Sequence, residues 1–143
     1  MDERALIIVA EDDPDDQYFF QTAVETVCPG EVETAFPWDG TQLLRILREK
    51  LAQGARRALV VLDLNMPVRD GRLTLDALKS DPQLAAIPVV ILTTSCNDRD
   101  IEYCTQRGAA AYFQKPGSIT ELVQIVRVLY AGYLSGDVQT AAN

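Results

Sequence analysis

The chain has 143 residues, which is enough for one domain with a substantial apolar core but short for two. Hydrophobic residues make up 48% and charged residues 24% of it, so disordered, collagen-like and disulfide-scaffold proteins are excluded. No apolar run approaches the roughly 20 residues that a bilayer crossing needs, and the N-terminus lacks the basic-then-apolar order of a signal peptide. We therefore expect a cytoplasmic protein that does not enter the membrane.

Charge is unevenly distributed along the chain. The net charge is −8, from 13 basic and 21 acidic residues, and residues 1–34 contain ten of the acids but only one base, Arg4. Binding to a nucleic acid requires clustered Lys and Arg, and no such cluster is present, so direct DNA binding is not expected. Five of the acids fall within residues 11–16, where they can bind a cation or cap and solvate a helix.

Histidine is absent, and cysteine occurs three times, at Cys28, Cys96 and Cys104. Without histidine the chain cannot form a Ser-His-Asp or Cys-His nucleophile system. The usual zinc-binding spacings are missing for the same reason. The three cysteines are far apart and contain no C-x-x-C pair, so we interpret them as reduced thiols of the core.

Short apolar runs alternate with longer segments of helical periodicity along the chain. After the first run, Asp13-Pro14 provides an N-cap and a proline at the start of a helix. Asp39 caps the second helix, the third ends before residue 81, and the fourth, over residues 98–107, has few apolar residues. Ser118 and Glu121 form a capping box before the fifth helix. The predicted strands are residues 6–10, 32–36, 58–62, 87–92 and 109–113.

Strands that alternate with helices predict an α/β fold with a doubly wound parallel sheet. Ligands of such sheets bind beyond the carboxyl ends of the strands. Carboxylates there suit a hard divalent cation such as Mg²⁺, and an aspartate can form an acyl phosphate. Hydroxyl and ammonium groups can balance the charge of a phosphoryl group. The residues that follow the strands predict such a site, and they are Glu11-Asp12, Asp63, Thr93 and Lys115.

Four motifs in this order resemble those of a response-regulator receiver domain of two-component signalling. They read VAEDD at residues 9–13, LDLNMPVRDG at 62–71, ILTTS at 91–95 and AYFQKP at 111–116. The resemblance extends from residue 7 to about residue 133. The EDDPDD run and the LTTS turn are most similar to the stand-alone regulators associated with bacterial phytochromes. The resemblance implies a flavodoxin-like (βα)5 fold with strand order 2-1-3-4-5.

The resemblance also implies an acceptor and a metal site. Asp63 matches the phosphoacceptor that takes a phosphoryl group from a histidine kinase. Glu11 and Asp12 match the acidic pair that holds Mg²⁺. Asp63 and the backbone carbonyl of Asn65 complete the implied protein ligands of that ion.

Further matching residues imply a switch. Thr93 matches the hydroxyl that moves to the phosphoryl group, and it is favoured over Thr94 because it directly follows the apolar strand. Lys115 matches the lysine that pairs with the phosphorylated side chain, and its bond to Pro116 is expected to be cis. Tyr112 matches the aromatic residue that rotates inward on activation.

The predicted function is a phosphorylation-dependent switch and not an enzyme, apart from its own phosphorylation and dephosphorylation. We expect a receiver domain over residues 1–134 and a short tail over 135–143, with no output domain. The expected partners are a histidine kinase, such as one of the phytochrome type, or a phosphotransfer protein, and another protein downstream. Tyr130, Tyr133 and Leu134 either form a homodimer contact or pack on the sheet.

Two other functions are weighed against the switch. One is a phosphate-independent pseudo-receiver that only binds partners, which the full set of site residues argues against. The other is an aspartyl-phosphate phosphatase of the haloacid-dehalogenase type. That enzyme would need a second aspartate where this chain has Asn65.

Overall fold

The computed structural model describes residues 4–55, 57–65, 71–95 and 97–135. Strands and helices alternate in it as the sequence predicts. The strands are β1 Ala5–Ala10, β2 Val32–Ala35, β3 Ala58–Leu62, β4 Val89–Thr93 and β5 Ala111–Gln114. The helices are α1 Pro14–Val27, α2 Gly40–Ala52, α3 Gly71–Ser80, α4 Asp98–Gln106 and α5 Ile119–Leu129.

The strands form one sheet in the order β2-β1-β3-β4-β5. Every neighbouring pair is parallel, so the predicted flavodoxin-like order is confirmed. Helices cover both faces: α2, α3 and α4 pack on one face and α1 and α5 on the other. In β1, Ile8 belongs to the first core and Ile7 to the second, because successive side chains of a strand point to opposite faces. Because all the strands run in the same direction, their carboxyl ends lie along one edge of the sheet.

Two strands begin two residues later than predicted. β4 begins at Val89 rather than at residue 87, because the preceding Pro88 has no N–H to donate to a neighbouring strand. β5 begins at Ala111 rather than at residue 109. The Ala109 N–H donates to the Cys104 carbonyl at 2.9 Å and so belongs to the end of α4.

A five-residue π-helical turn, Tyr130–Leu134, follows α5. Leu134 is fully buried in the core that α1 and α5 form on the sheet, and Tyr130 and Tyr133 pack against the same core. The Arg57 guanidinium donates to the Leu134 carbonyl at 2.5 Å. Leu134 therefore packs on the sheet, the second of its two predicted environments. Residues 136–143 of the predicted tail lie outside the described residues.

The structure also bears on the cysteines and on membrane crossing. Cys28 and Cys104 are buried in the core, as predicted, and Cys96 lies outside the described residues. Within the described ranges, no helix has both the length and the apolar character that a membrane crossing requires.

Candidate functional site

The predicted site residues come from four different strand ends and meet at the carboxyl edge of the sheet. Glu11 follows β1, Asp63 follows β3, Thr93 ends β4 and Lys115 follows β5. Hydrogen bonds and ion pairs connect all four side chains. The convergence follows from the parallel sheet, because the residue after each strand leaves the sheet at the same edge.

The Lys115 ammonium lies among three carboxylates. Its Nζ is 2.6 Å from Glu11 Oε1, 2.9 Å from Asp63 Oδ2 and 3.3 Å from Asp16 Oδ2. Burial alone would lower the pKa of Lys115, but the hydrogen bonds with Glu11 and Asp63 outweigh it and raise that pKa. The lysine is therefore charged at neutral pH and partly neutralises the acidic cluster around it.

Asp63 is held through both of its carboxylate oxygens, and only 9% of the residue is exposed. Oδ1 accepts the Thr93 hydroxyl at 2.9 Å and the Asn65 N–H at 3.0 Å, while Oδ2 faces Lys115. Gly71 lies directly behind this turn, where a Cβ would come within 2.3 Å of the Asp63 carbonyl oxygen. The absence of a side chain at residue 71 is thus needed for the position of Asp63.

Glu11 is the most enclosed carboxylate of the site, with 6% of the residue exposed. Besides the Lys115 contact, its Oε2 accepts the Asp13 N–H at 3.1 Å. The Gln17 side-chain amide donates to the Glu11 carbonyl at 2.7 Å, which fixes the backbone as well. Burial raises the pKa of Glu11, and the hydrogen bonds from Lys115 and Asp13 act in the opposite direction.

The other two predicted metal ligands, Asp12 and Asn65, are exposed beside Glu11 and Asp63. Among the residues that the structure describes, no three acidic or thiol side chains form a metal site by themselves. The positive charge that contacts Glu11 and Asp63 in this structure is the Lys115 ammonium. The structure therefore brings together Glu11 and Asp63 of the predicted metal ligands and leaves Asp12 open to solvent.

Tyr112 is partly buried and lies beside the loop that follows Thr93. Its ring packs against the core on the α3 and α4 side, and its hydroxyl donates to the Ser95 carbonyl at 2.9 Å. Burial raises the pKa of the Tyr112 hydroxyl. The contact connects β5 with the loop that follows Thr93.

The expected cis bond before Pro116 is wrong: no cis peptide bond occurs among the described residues. A trans X–Pro bond is intrinsically favoured by about 0.5–1 kcal/mol. With the trans bond, the Lys115 N–H donates to the Thr93 carbonyl at 2.8 Å, and the Lys115 ammonium still reaches Asp63. The site geometry does not require the cis form.

The acids of the first helical turn have two different roles, of which the sequence predicted one. Asp13 caps α1, as expected, since its side chain accepts the Asp15 N–H at 2.8 Å. Asp16, another of the five acids at residues 11–16, contacts the Lys115 ammonium. Its only signal in the sequence is its place on the first turn of a helix that begins at the site edge. Residues 66–70 of the second motif lie outside the described residues.

Comparisons with known proteins support the family that the four sequence motifs indicate. The sequence matches the response regulator receiver domain family over residues 7–127. It is 30% identical over 131 residues to response regulator Rcp1 of Synechocystis sp., a match that covers 90% of this chain and 88% of Rcp1.

Two solved structures are similar to this one over most of the chain. The phosphorylated cyanobacterial phytochrome response regulator RcpA has a TM-score of 0.81 at 34% identity, with 92% of this chain and 95% of that chain covered. The Mn²⁺-bound form of Rcp1 has a TM-score of 0.78 at 29% identity, with 92% and 96% covered.

Proposed function

This chain belongs to the response regulator receiver domain family, and from that premise we propose that Asp63 is its phosphoacceptor. Receiver domains are phosphorylation-dependent switches of two-component signalling and are generally not enzymes that act on other substrates. The observation that carries the assignment is the position of Asp63 between Thr93 and Lys115. A hydroxyl contacts one carboxylate oxygen, and an ammonium contacts the other.

Phosphoryl transfer at this site is a displacement at phosphorus. A carboxylate oxygen of Asp63 attacks the phosphorus of a phosphohistidine, the P–N bond breaks, and its electron pair remains on the imidazole nitrogen, which takes a proton from solvent. The new acyl phosphate is a dianion next to Lys115, whose ammonium balances part of its charge. The Thr93 hydroxyl is close enough to donate to a phosphoryl oxygen instead of to Asp63 Oδ1.

We infer that the site binds a divalent cation, Mg²⁺, beside Asp63. Asp12, Asp63 and the Asn65 carbonyl provide the oxygen donors that Mg²⁺ prefers, and Glu11 can contribute directly or through water. Three carboxylates around one ammonium leave the cluster with a net negative charge, which favours a second cation. When bound, the ion would balance the charge of the phosphoryl oxygens and orient them. The similar response regulator Rcp1 has a Mn²⁺-bound form, which supports the binding of a divalent ion by this chain.

The partners follow from the same premise. A histidine kinase or a phosphotransfer protein would supply the phosphoryl group, and the similarity to Rcp1 and RcpA favours a kinase of the phytochrome type. The output would be a protein contact that responds to Thr93 and Tyr112. The phosphatase alternative has no support here, because Asn65 occupies the position of its second aspartate and contributes a backbone N–H to Asp63.

Incubation with acetyl phosphate and magnesium tests the acceptor. Intact-mass measurement should show one added phosphoryl group that hydroxylamine removes, as expected of an acyl phosphate. The Asp63→Asn protein should remain unmodified, because a carboxamide is a far poorer nucleophile. Asp39→Asn is the matched control: Asp39 is a buried N-cap outside the site, and asparagine caps a helix equally well. Phosphorylation that persists in Asp63→Asn would contradict the assignment.

A further inference from the structure

The loop that follows Thr93 is attached on two sides through one residue, Ser95. The Ser95 carbonyl accepts the Tyr112 hydroxyl from β5 at 2.9 Å. The Ser95 hydroxyl donates to Asp100 Oδ2, on α4, at 2.6 Å. Ser95 is two residues after Thr93, so any displacement of Thr93 reaches both contacts through a very short length of backbone. The contact between Ser95 and Asp100 lies outside the phosphoryl site, so the chemistry of that site does not account for it.

Asp100 is a charged side chain in an enclosed position, with 9% of the residue exposed. Its Oδ1 accepts two hydrogen bonds from the Arg72 guanidinium of α3, at 2.5 Å from Nη2 and 3.1 Å from Nε. Its Oδ2 also accepts from the Asn97 side-chain amide at 3.2 Å. The hydrogen bonds from Arg72 and Ser95 hold the pKa of Asp100 below its usual value, so the carboxylate is charged at neutral pH. Both oxygens of Asp100 are therefore engaged, and its position is well defined.

Helix α4 depends on such polar contacts more than the other helices do. Only Asp100 and Cys104 of its residues are buried. A second polar contact lies further along the helix, where the Tyr103 hydroxyl donates to Asp76 of α3 at 2.6 Å. An element with few buried apolar contacts is displaced at a low free-energy cost. The loop contact at Asp100 is thus well placed to determine how far α4 follows a movement of the site.

We propose that Asp100 is a positioning residue of the switch: it fastens Ser95, and with it the loop after Thr93, to helix α4. Arg72 of α3 orients the Asp100 carboxylate so that its Oδ2 faces Ser95, and a displacement of Ser95 therefore reaches α4 through Asp100. The inference rests on the proposed function, since it requires that Thr93 respond to a phosphoryl group on Asp63. It adds to that function the contact between Ser95 and Asp100, which transmits the displacement of Thr93 to α4.

The test measures how strongly α4 responds when the site is occupied. Beryllofluoride with magnesium serves as the probe, because it stands in for the phosphoryl group on Asp63. Backbone amide shifts are recorded for Thr93 and for residues 102–106 of α4, and the α4 change is expressed relative to the Thr93 change. In the wild-type protein both should shift. In Ser95→Ala and in Asp100→Ala, the relative α4 change should fall at least about twofold, while Thr93 still responds.

Two further variants separate this role from general support of the helix. The double variant Ser95→Ala/Asp100→Ala should show no greater loss than Asp100→Ala alone, because Asp100→Ala already removes the Ser95 contact. Asp76→Ala is the matched control: it removes the Tyr103 contact between α3 and α4 without touching the loop, and the α4 response should persist. Ser95→Ala retains the Asp100–Arg72 pair and tests the contact even if Asp100→Ala does not fold.

The outcomes distinguish this inference from the proposed function. An unchanged α4 response in Ser95→Ala, or an equal loss in Asp76→Ala, would overturn the role of Asp100. A wild-type protein in which Thr93 shifts but α4 does not would overturn it as well, and would leave the acceptor assignment intact. A wild-type protein with no shift at Thr93 would overturn both.

Discussion

Replacing Lys115 with methionine changes the charge of the site while retaining the length and the apolar part of the side chain. The ammonium contacts three carboxylates, those of Glu11, Asp63 and Asp16, at 2.6, 2.9 and 3.3 Å. The cluster therefore goes from a net charge of −2 to −3 in the variant. Removal of one partner from a buried ion pair costs about 3–5 kcal/mol, because the other charge stays buried without compensation.

We expect a loss of about 3 kcal/mol in the free energy of unfolding at pH 7, the lower end of that range, because the site opens to solvent on one side. The loss should depend on pH. Burial raises the pKa of Glu11 above 4.5, and removal of the Lys115 hydrogen bond raises it further. A carboxyl whose pKa is higher in the folded than in the unfolded state lowers the free energy of unfolding as pH rises between those two values. The stability lost in the Lys115→Met protein should therefore be smaller near pH 5 than at pH 7.

Urea denaturation followed by circular dichroism measures both quantities. Lys79→Met is the matched control, because the Lys79 ammonium is also partly buried but donates to the carbonyls of Ala85 and Ile87, each at 3.0 Å. The free energy of unfolding lost in the Lys79→Met protein should be no smaller at pH 5 than at pH 7. Adding Asp63→Asn to Lys115→Met should restore part of the stability. A Lys115→Met protein that is equally destabilised at both pH values would refute the charge argument.

Three further predictions concern the backbone, a thiol and the metal. Gly71→Ala places a Cβ 2.3 Å from the Asp63 carbonyl oxygen, so denaturation should show a loss of about 1–3 kcal/mol and acetyl phosphate should label the variant more slowly. Burial raises the pKa of Cys28 to about 11, so this thiol should resist alkylation at pH 8 in the native protein and react after unfolding, as peptide mass spectrometry would show. Magnesium should raise the melting temperature by linkage, and Asp12→Ala should remove most of that rise; an equal rise in the variant would place the ion elsewhere.

The fold could be predicted from the sequence because each buried strand is a short apolar run bounded by helix caps. The carboxylate of Asp13 and the hydroxyl of Ser118 cap their helices as the local pattern indicates. The strand order itself came from the resemblance of the motifs. The boundaries of β4 and β5 were less predictable. They depend on the missing N–H of Pro88 and on a hydrogen bond of Ala109, which an apolar run does not reveal.

The central residues of the site could also be predicted, because parallel strands bring their carboxyl ends together. Asp63, Thr93 and Lys115 contact one another as that rule implies. The sequence contains no comparable pattern that predicts contacts between separate helices. The pairing of Arg72 with Asp100 depends on how α3 packs beside α4, and periodicity within either helix does not contain that information.

The chemical identity of the phosphorylated residue is the most direct test of the assignment. Borohydride reduces an aspartyl phosphate to homoserine, so the phosphorylated protein can be reduced, digested and sequenced by tandem mass spectrometry. We predict homoserine at position 63 in the acetyl phosphate-treated protein and unmodified Asp63 in an untreated sample. Homoserine at Asp12 or Asp13, with position 63 unchanged, would contradict the central claim.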